Sequence, residues 1–320
     1  MDRLNGGLDK VEPGVDDADD TPLFFAGDAK AGVEESLRHL SVPQDLYTLN
    51  ELDVLYEDDI EALWTFMRPS GRPSFTPTML HDFVAWQRLI AEGFGPGKVP
   101  LKYLILGSRS PGVFCFGGDL ELFQRLIRER NRDGLAAYGY RCVEILERNA
   151  RALDLPMLTI GLVEGSALGG GFEALLSFDV LIAERGATFG LPEVIFGLFP
   201  GMGAHAYLTR KIGAAMAERM ILSNESYSAE QLYEMGIVHV LAEKGEGVSA
   251  CRDYIHKSRR RHVGLVKARQ AMRLASPVPL DELKRIVDLW ADAALGLSEQ
   301  DLKVMSRLTR AQSRLATSAA

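Results

Sequence analysis

The sequence predicts an α/β protein whose strands pair in parallel, followed by a helical C-terminal region. Short apolar runs of strand length, at residues 103–106, 157–163 and 179–183, alternate with longer runs whose apolar residues recur at helical spacing. Glycine-bearing turns follow the first two runs, at Phe116-Gly117-Gly118-Asp119 and Leu168-Gly169-Gly170-Gly171, and each leads into helical sequence. Strand signals stop near residue 250, beyond which only amphipathic helical patterns remain. Strands separated by helices pair in parallel, because each crossover returns the chain to run in the same direction.

Residues 1–25 hold seven acidic and two basic side chains, several glycines and little apolar periodicity, so a disordered acidic tail is expected there. A core over 26–250 and a helical region over 251–320 follow from the change of pattern, with regular order beginning near Leu46. Residues 52–56 and 62–67 flank the polar Glu57-Asp58-Asp59 and read as a strand hairpin. Met79, Phe83, Trp86 and Ile90 mark a helix that ends at Gly93, with Trp86 read as core. Helices are expected over 120–129 and 134–153, the second with Leu135, Tyr138, Cys142 and Ile145 along one face. Further helical runs are 172–178 and 212–222, and Ser228-Ala229-Glu230-Gln231 starts another as a capping box. Ile286, Leu289, Trp290, Ala293 and Leu297 form an apolar stripe, and residues 302–315 a last helix. This region suits the covering of a pocket or the packing of another subunit.

Composition removes several classes of function. The chain has 320 residues, 47% of them hydrophobic, enough for a substantial core. Its longest apolar runs, such as 155–163, fall well short of the roughly 20 residues a membrane span requires. Met1-Asp2-Arg3-Leu4-Asn5 lacks the apolar core of a signal peptide, so a cytoplasmic location is expected. Three scattered cysteines, Cys115, Cys142 and Cys251, indicate neither a disulfide framework nor a zinc site, and the histidines show no metal-ligand spacing; His205 reads as structural. No metal and no cofactor are expected. A net charge of −8 argues against a general nucleic-acid binder. From Cys251 onward, however, fourteen Lys and Arg face seven Asp and Glu.

The stretch Ala167-Leu168-Gly169-Gly170-Gly171-Phe172-Glu173 carries the chemistry. Bare glycine backbone at a helix start presents N–H donors and the positive dipole end to a ligand oxygen. A Walker loop needs Lys-Ser/Thr after its last glycine, and Phe172-Glu173 stands there instead. With a carboxylate rather than a lysine, the cradle suits a carbonyl oxygen that gains charge while a base removes a neighbouring proton. Glu193, in Leu191-Pro192-Glu193, offers a second carboxylate twenty residues on. On the glycines alone, a tight strand-to-helix turn with a capping glutamate explains the stretch equally well.

Together, Phe114-Cys115-Phe116-Gly117-Gly118-Asp119-Leu120, Glu164-Gly165-Ser166-Ala167-Leu168-Gly169-Gly170-Gly171-Phe172-Glu173, Phe189-Gly190-Leu191-Pro192-Glu193 and Phe199-Pro200-Gly201-Met202-Gly203 resemble the crotonase (enoyl-CoA hydratase/isomerase) superfamily. The likeness covers roughly residues 45–320. Within the superfamily it looks closest to the diffusible-signal-factor synthases, which make cis-2-unsaturated fatty acid signals; the tail Arg310-Ala311-Gln312-Ser313-Arg314 adds to this. The resemblance implies a spiral of ββα units with a C-terminal helical region, assembled as a homotrimer or dimer of trimers. It implies an oxyanion hole from the Phe116 and Gly170 N–H groups, with Glu173 and Glu193 as acid and base. Gly117, Gly118, Leu168, Phe199, Met202 and Trp290 are the expected pocket residues, with Ile195, Phe196 and Leu198 also candidates for an acyl tunnel. Phe116 stands where many hydratases carry a small residue.

The implied reaction is dehydration of a 3-hydroxyacyl thioester followed by hydrolysis to the free acid. No Gly-x-Ser-x-Gly elbow supports an acyl-serine route. Acyl carrier protein or coenzyme A remains open as the carrier, and the basic cluster Lys257, Arg259, Arg260 and Arg261 suits either, or is a solvated face. An enoyl-CoA hydratase of β-oxidation would use the same two glutamates. A non-catalytic scaffold fits less well, since both carboxylates and both glycine turns are present and Tyr254 is the only aromatic near the basic cluster.

Overall fold

The computed structural model describes residues 42–318. The acidic tail expected over 1–25 lies outside the described residues. Strand β1 (Leu52–Glu57) and β2 (Ala62–Met67) form the expected antiparallel hairpin, with Leu52 opposite Met67 and Glu57 opposite Ala62. Helix α1 (Pro77–Gly93) starts on Thr76, whose hydroxyl accepts the Met79 N–H, with Pro77 in the first turn. Its stripe of Met79, Phe83, Trp86 and Ile90 is buried.

Three strand pairs then repeat one plan. β3 (Tyr103–Ser108) leads to β4 (Val113–Cys115), β5 (Leu158–Val163) to β6 (Ser166–Leu168), and β7 (Val180–Glu184) to β8 (Thr188–Gly190). With β9 (Ser226–Ser228) and β10 (Val240–Ala242), they build two sheets, of order β1-β2-β3-β5-β7-β10 and β4-β6-β8-β9. The first strand of each pair joins the large sheet and the second the small one. Helices α2 (Leu120–Arg128) and α3 (Arg132–Ala150) follow the first pair, α4 (Gly170–Leu175) the second, and α5 (Ala204–Ile212) the third. Successive ββα units therefore advance side by side as a spiral, with β2, β3, β5, β7 and β10 all parallel.

Strands β5 and β7 are buried at every residue, as a sheet covered on both faces requires. Alternate side chains serve the two faces. Leu104, Leu106 and Leu181 join the main core with α1 and α3. Tyr103, Ile105, Ile160 and Ile182 form a second cluster closed by Cys251 and Ile255 of α8 (Gly247–Ser258) and Val266 of α9 (His262–Ala275).

Three elements differ from expectation. α3 ends at Ala150 rather than 153, because Ala152, Leu153 and Asp154 adopt positive φ and turn the chain into β5. The run at 212–222 belongs to two helices, α5 and α6 (Ala214–Leu222), separated at Gly213. In α10 (Leu280–Leu295) the buried face is Leu283, Val287, Trp290, Ala291 and Ala294, leaving Leu289 of the expected stripe 64% exposed. Ser228 and Gln231 do form the capping box at the start of α7 (Ala229–Glu234). The last helix, α11 (Glu299–Ser318), packs across α2 and the 3-10 turn Pro192–Phe196.

Candidate active site

Glu173 lies in the first turn of α4 and is 1% exposed. Its Oε1 accepts two backbone N–H groups from the start of α5, Met202 at 2.8 Å and Ala204 at 2.9 Å. Burial pushes its carboxyl up to about 7, against the opposing pull of the Ala204, Met202 and Gly203 N–H donors.

Glu193 sits in the 3-10 turn Pro192–Phe196. The residue keeps partial exposure, yet its Oε2 is buried and has no hydrogen-bond partner. Burial, then the negative charge of Glu173, raises this carboxyl well above its ordinary value. The two carboxyls thus differ in support: the Met202 and Ala204 N–H groups donate to Glu173, whereas the backbone N–H that acts on Glu193 is its own and leaves Oε2 unpaired. Gly169, at φ +52, lets the chain pass beneath the pair, since a Cβ there would stand 2.5 Å from Glu193 Oε1.

The glycine turns place the free N–H groups differently from expectation. The Phe116 N–H donates to the Pro73 carbonyl at 2.7 Å, so it is committed to the loop before α1 and is not available to a ligand. Gly117, at φ +92, then reverses the chain, and a Cβ there would stand 2.6 Å from the Gly170 nitrogen. This brings Gly118 opposite Gly170, with the Gly118 nitrogen 3.4 Å from a Cβ placed on Gly170. Among the described residues neither the Gly118 nor the Gly170 N–H donates to a protein acceptor. The pair of open donors is therefore Gly118 and Gly170.

Gly118, Gly170, Glu173 and Glu193 line one cavity of about 200 Å³. Of the expected pocket residues, Leu168, Met202 and Trp290 line it too, and Phe116 contributes to its wall. Gly117 turns behind it, and Phe199 instead sets its ring edge-on to His205 at 5.5 Å between centroids; neither lines the cavity. Phe196 and Leu198 do, whereas Ile195 is 44% exposed. Tyr138 of α3 and Leu308, Ala311 and Gln312 of α11 line it as well, although the sequence marks Tyr138 only as part of a helix face and Ala311 and Gln312 only as part of the tail motif. Lys257, Arg259, Arg260 and Arg261 lie on exposed surface away from the cavity. Among the described residues no cluster of three or more His, Cys, Asp or Glu is placed to hold a metal ion, and no helix is long and apolar enough to cross a membrane.

The model of the enoyl-CoA hydratase/isomerase family matches residues 64–268. The chain belongs to this family. The match takes in both glutamates and both glycine turns, and it ends before α10, so Trp290, Leu308, Ala311 and Gln312 close the cavity from outside the family's matched segment. Curated relatives include the mitochondrial methylglutaconyl-CoA hydratase of Rattus norvegicus, 32% identical over 50% of this chain and 49% of that protein. Another is the mitochondrial enoyl-CoA hydratase domain-containing protein 2 of Bos taurus, 34% identical over 47% of this chain and 49% of its own length. The chain spans about half the length of these relatives. Among solved structures, Pseudomonas aeruginosa DspI superposes with a TM-score of 0.59 at 25% identity, covering 75% of this chain and 95% of that one. An enoyl-CoA hydratase from Bacillus halodurans, at 19% identity, shares the fold with a TM-score of 0.68 over 81% of this chain and all of its own.

Proposed function

We propose that the protein dehydrates a 3-hydroxyacyl thioester and then hydrolyses the 2-enoyl thioester, releasing a cis-2-unsaturated fatty acid signal. The observation that carries this is the unequal pair of buried carboxyls beside two open backbone donors. The substrate carbonyl oxygen sits between the Gly118 and Gly170 N–H groups, which meet the charge of the forming enolate. Glu173, stabilised as the anion by Met202 and Ala204, takes the α-proton. Glu193, whose buried Oε2 has no hydrogen-bond partner, holds a proton and gives it to the β-hydroxyl. The Cβ–O bond breaks, the Cα–Cβ double bond forms, and water leaves.

The pair then carries the same number of protons, with the proton now on Glu173. Glu193 is left ionised and takes a proton from a water that attacks the thioester carbonyl. The same N–H groups hold the tetrahedral oxyanion, the C–S bond breaks, and Glu173 gives its proton to the departing thiolate, which returns the pair to its starting state. The motif resemblance to the signal synthases supports the hydrolytic step and an acyl carrier protein as carrier; a cytoplasmic homotrimer or dimer of trimers belongs to the same reading. The names of the relatives favour a second reading, hydration of 2-enoyl-CoA in the reverse direction of the first step.

Mass spectrometry of products from medium-chain 3-hydroxyacyl thioesters, supplied separately on acyl carrier protein and on coenzyme A, tests the proposal. Free cis-2-enoic acid formed mainly from the carrier-protein substrate is expected. A reversible trans-2-enoyl-CoA equilibrium without free acid would leave only the hydratase.

A further inference from the structure

Away from the catalytic cavity, one contact cannot be satisfied within the protein. His239, just before β10, accepts the Leu181 backbone N–H at Nδ1, 3.0 Å away. A neutral imidazole has one acceptor nitrogen, so its proton sits on Nε2. That Nε2 lies 3.3 Å from Nη2 of Arg269, and a guanidinium has no acceptor to offer. Two donors meet. The other tautomer moves the conflict to the Leu181 N–H, and a doubly protonated ring creates it at both nitrogens. Burial first, then the charges of Arg269 and Lys211, push His239 down to about 4, so the ring is neutral near pH 7.

Lys211, in the last turn of α5, adds a second positive charge that acts on His239 together with Arg269 of α9. Lys211 is exposed at the surface, so water screens its neighbours' charges and its ammonium stays protonated at neutral pH. Asp179 is the carboxylate that acts on Lys211, and it is already committed. Its oxygens take Arg273 Nη2 at 2.7 and 2.8 Å, and Oδ2 also accepts the Thr159 N–H at 3.1 Å and hydroxyl at 3.3 Å. Among the described residues, neither Arg269, which touches His239, nor the neighbouring Lys211 forms an ion pair with a carboxylate.

We infer that His239, Arg269 and Lys211 form a binding site for a small oxoanion, a phosphate or a carboxylate group, where the end of α5 meets α9 and the start of β10. One oxygen of the anion accepts the His239 Nε2–H and relieves the donor–donor contact, while the guanidinium and ammonium hold the remaining oxygens. None of the three side chains lines the catalytic cavity. α5 separates the two places: its first N–H, from Ala204, holds Glu173, and Lys211 stands near its other end, about 10 Å along the helix. The site does not depend on the proposed catalytic activity.

The full-length protein is titrated separately with inorganic phosphate and with acetate, sodium chloride holding the ionic strength constant, and followed by calorimetry and thermal unfolding. A one-site isotherm and a saturable rise in Tm are expected with one of the two, and the probe that produces them identifies the anionic group. Arg269→Gln and Lys211→Gln should each weaken that binding about tenfold or more while unfolding cooperatively without ligand. No saturable response to either anion would overturn the inference. So would an equal response in the wild type and both variants, or the same shift from chloride alone.

Discussion

The Tyr138 hydroxyl donates to the Phe75 carbonyl at 2.5 Å and accepts the Asp119 N–H at 3.2 Å. Phe75 is bridged to Gly118, so one phenol pins the chain on both sides of an open donor of the site. Tyr138→Phe keeps the ring against Phe123 and removes this clamp, leaving a buried carbonyl and N–H unpaired. Stability should fall by about 1–3 kcal/mol. Steady-state kinetics should show kcat about tenfold lower with KM changed by less than about twofold, since the loss falls on the transition state. An unchanged kcat would show that Gly118 needs no such positioning.

The carboxyl pair predicts a bell-shaped pH profile of kcat/KM. Activity should rise through about pH 7 as Glu173 ionises and fall where Glu193 loses its proton; the two limbs belong to the pair and not to either residue alone. Glu173→Gln and Glu193→Gln should each lower kcat by about 10²–10⁴-fold in a folded protein. A profile that stays flat across neutral pH would remove the pair from proton transfer.

The same pair costs stability at high pH. Both carboxyls are raised in the folded state, so between about 4.5 and their folded values the native protein binds more protons than the unfolded chain. Their contribution is fully present below about pH 4.5 and is lost as pH rises through the folded values. Glu193→Gln should therefore unfold at a higher temperature than the wild type at pH 8, by about 2–4 °C for each kcal/mol of strain removed, and at nearly the same temperature near pH 4.5. Thermal unfolding at the two pH values reads this directly, and a shift of equal size at both would refute it.

Gly169→Ala places a methyl 2.5 Å from the native position of Glu193 Oε1 and forces a side chain onto φ +52. With ψ at −129 the residue sits in a region that side chains rarely enter, and the conformational cost is about 1–3 kcal/mol. The displaced carboxyl should lower kcat about a hundredfold or more, as loss of a positioned acid does. A crystal structure of the variant would show the Glu193 shift, and full activity would mean that the carboxyl's place is not critical.

Ala311→Trp tests the role of α11. Ala311 lines the cavity but is exposed as a residue, so added bulk should fill the substrate space and spare the core. KM should rise about tenfold for long acyl chains and less for short ones, because each excluded methylene contributes about 1 kcal/mol. Equal effects at every chain length would place the acyl group elsewhere.

Much of the fold was legible because its signals are local. The β1–β2 hairpin, the stripe of α1 and the Ser228 capping box each arise within a few consecutive residues. The rotated face of α10 was not legible, since both stripes are apolar and only the neighbouring helix α3 selects which is buried: Val287 packs over Gly139, while Leu289 faces solvent.

Residue order alone carried the α/β class, the two glycine turns, Glu173 in the first turn of a helix and Glu193 as a second carboxylate, because backbone freedom and periodicity are properties of short segments. Which N–H stays open depended on packing between distant segments. Pro73 takes the Phe116 donor, and the Gly117 turn leaves Gly118 facing Gly170. Likewise, the difference between the two carboxyls comes from Met202 and Ala204, about thirty residues from Glu173, and the cavity is closed by a helix more than a hundred residues away. Donor availability, burial and charge are set by neighbours in space, so these features exist only once the chain has folded.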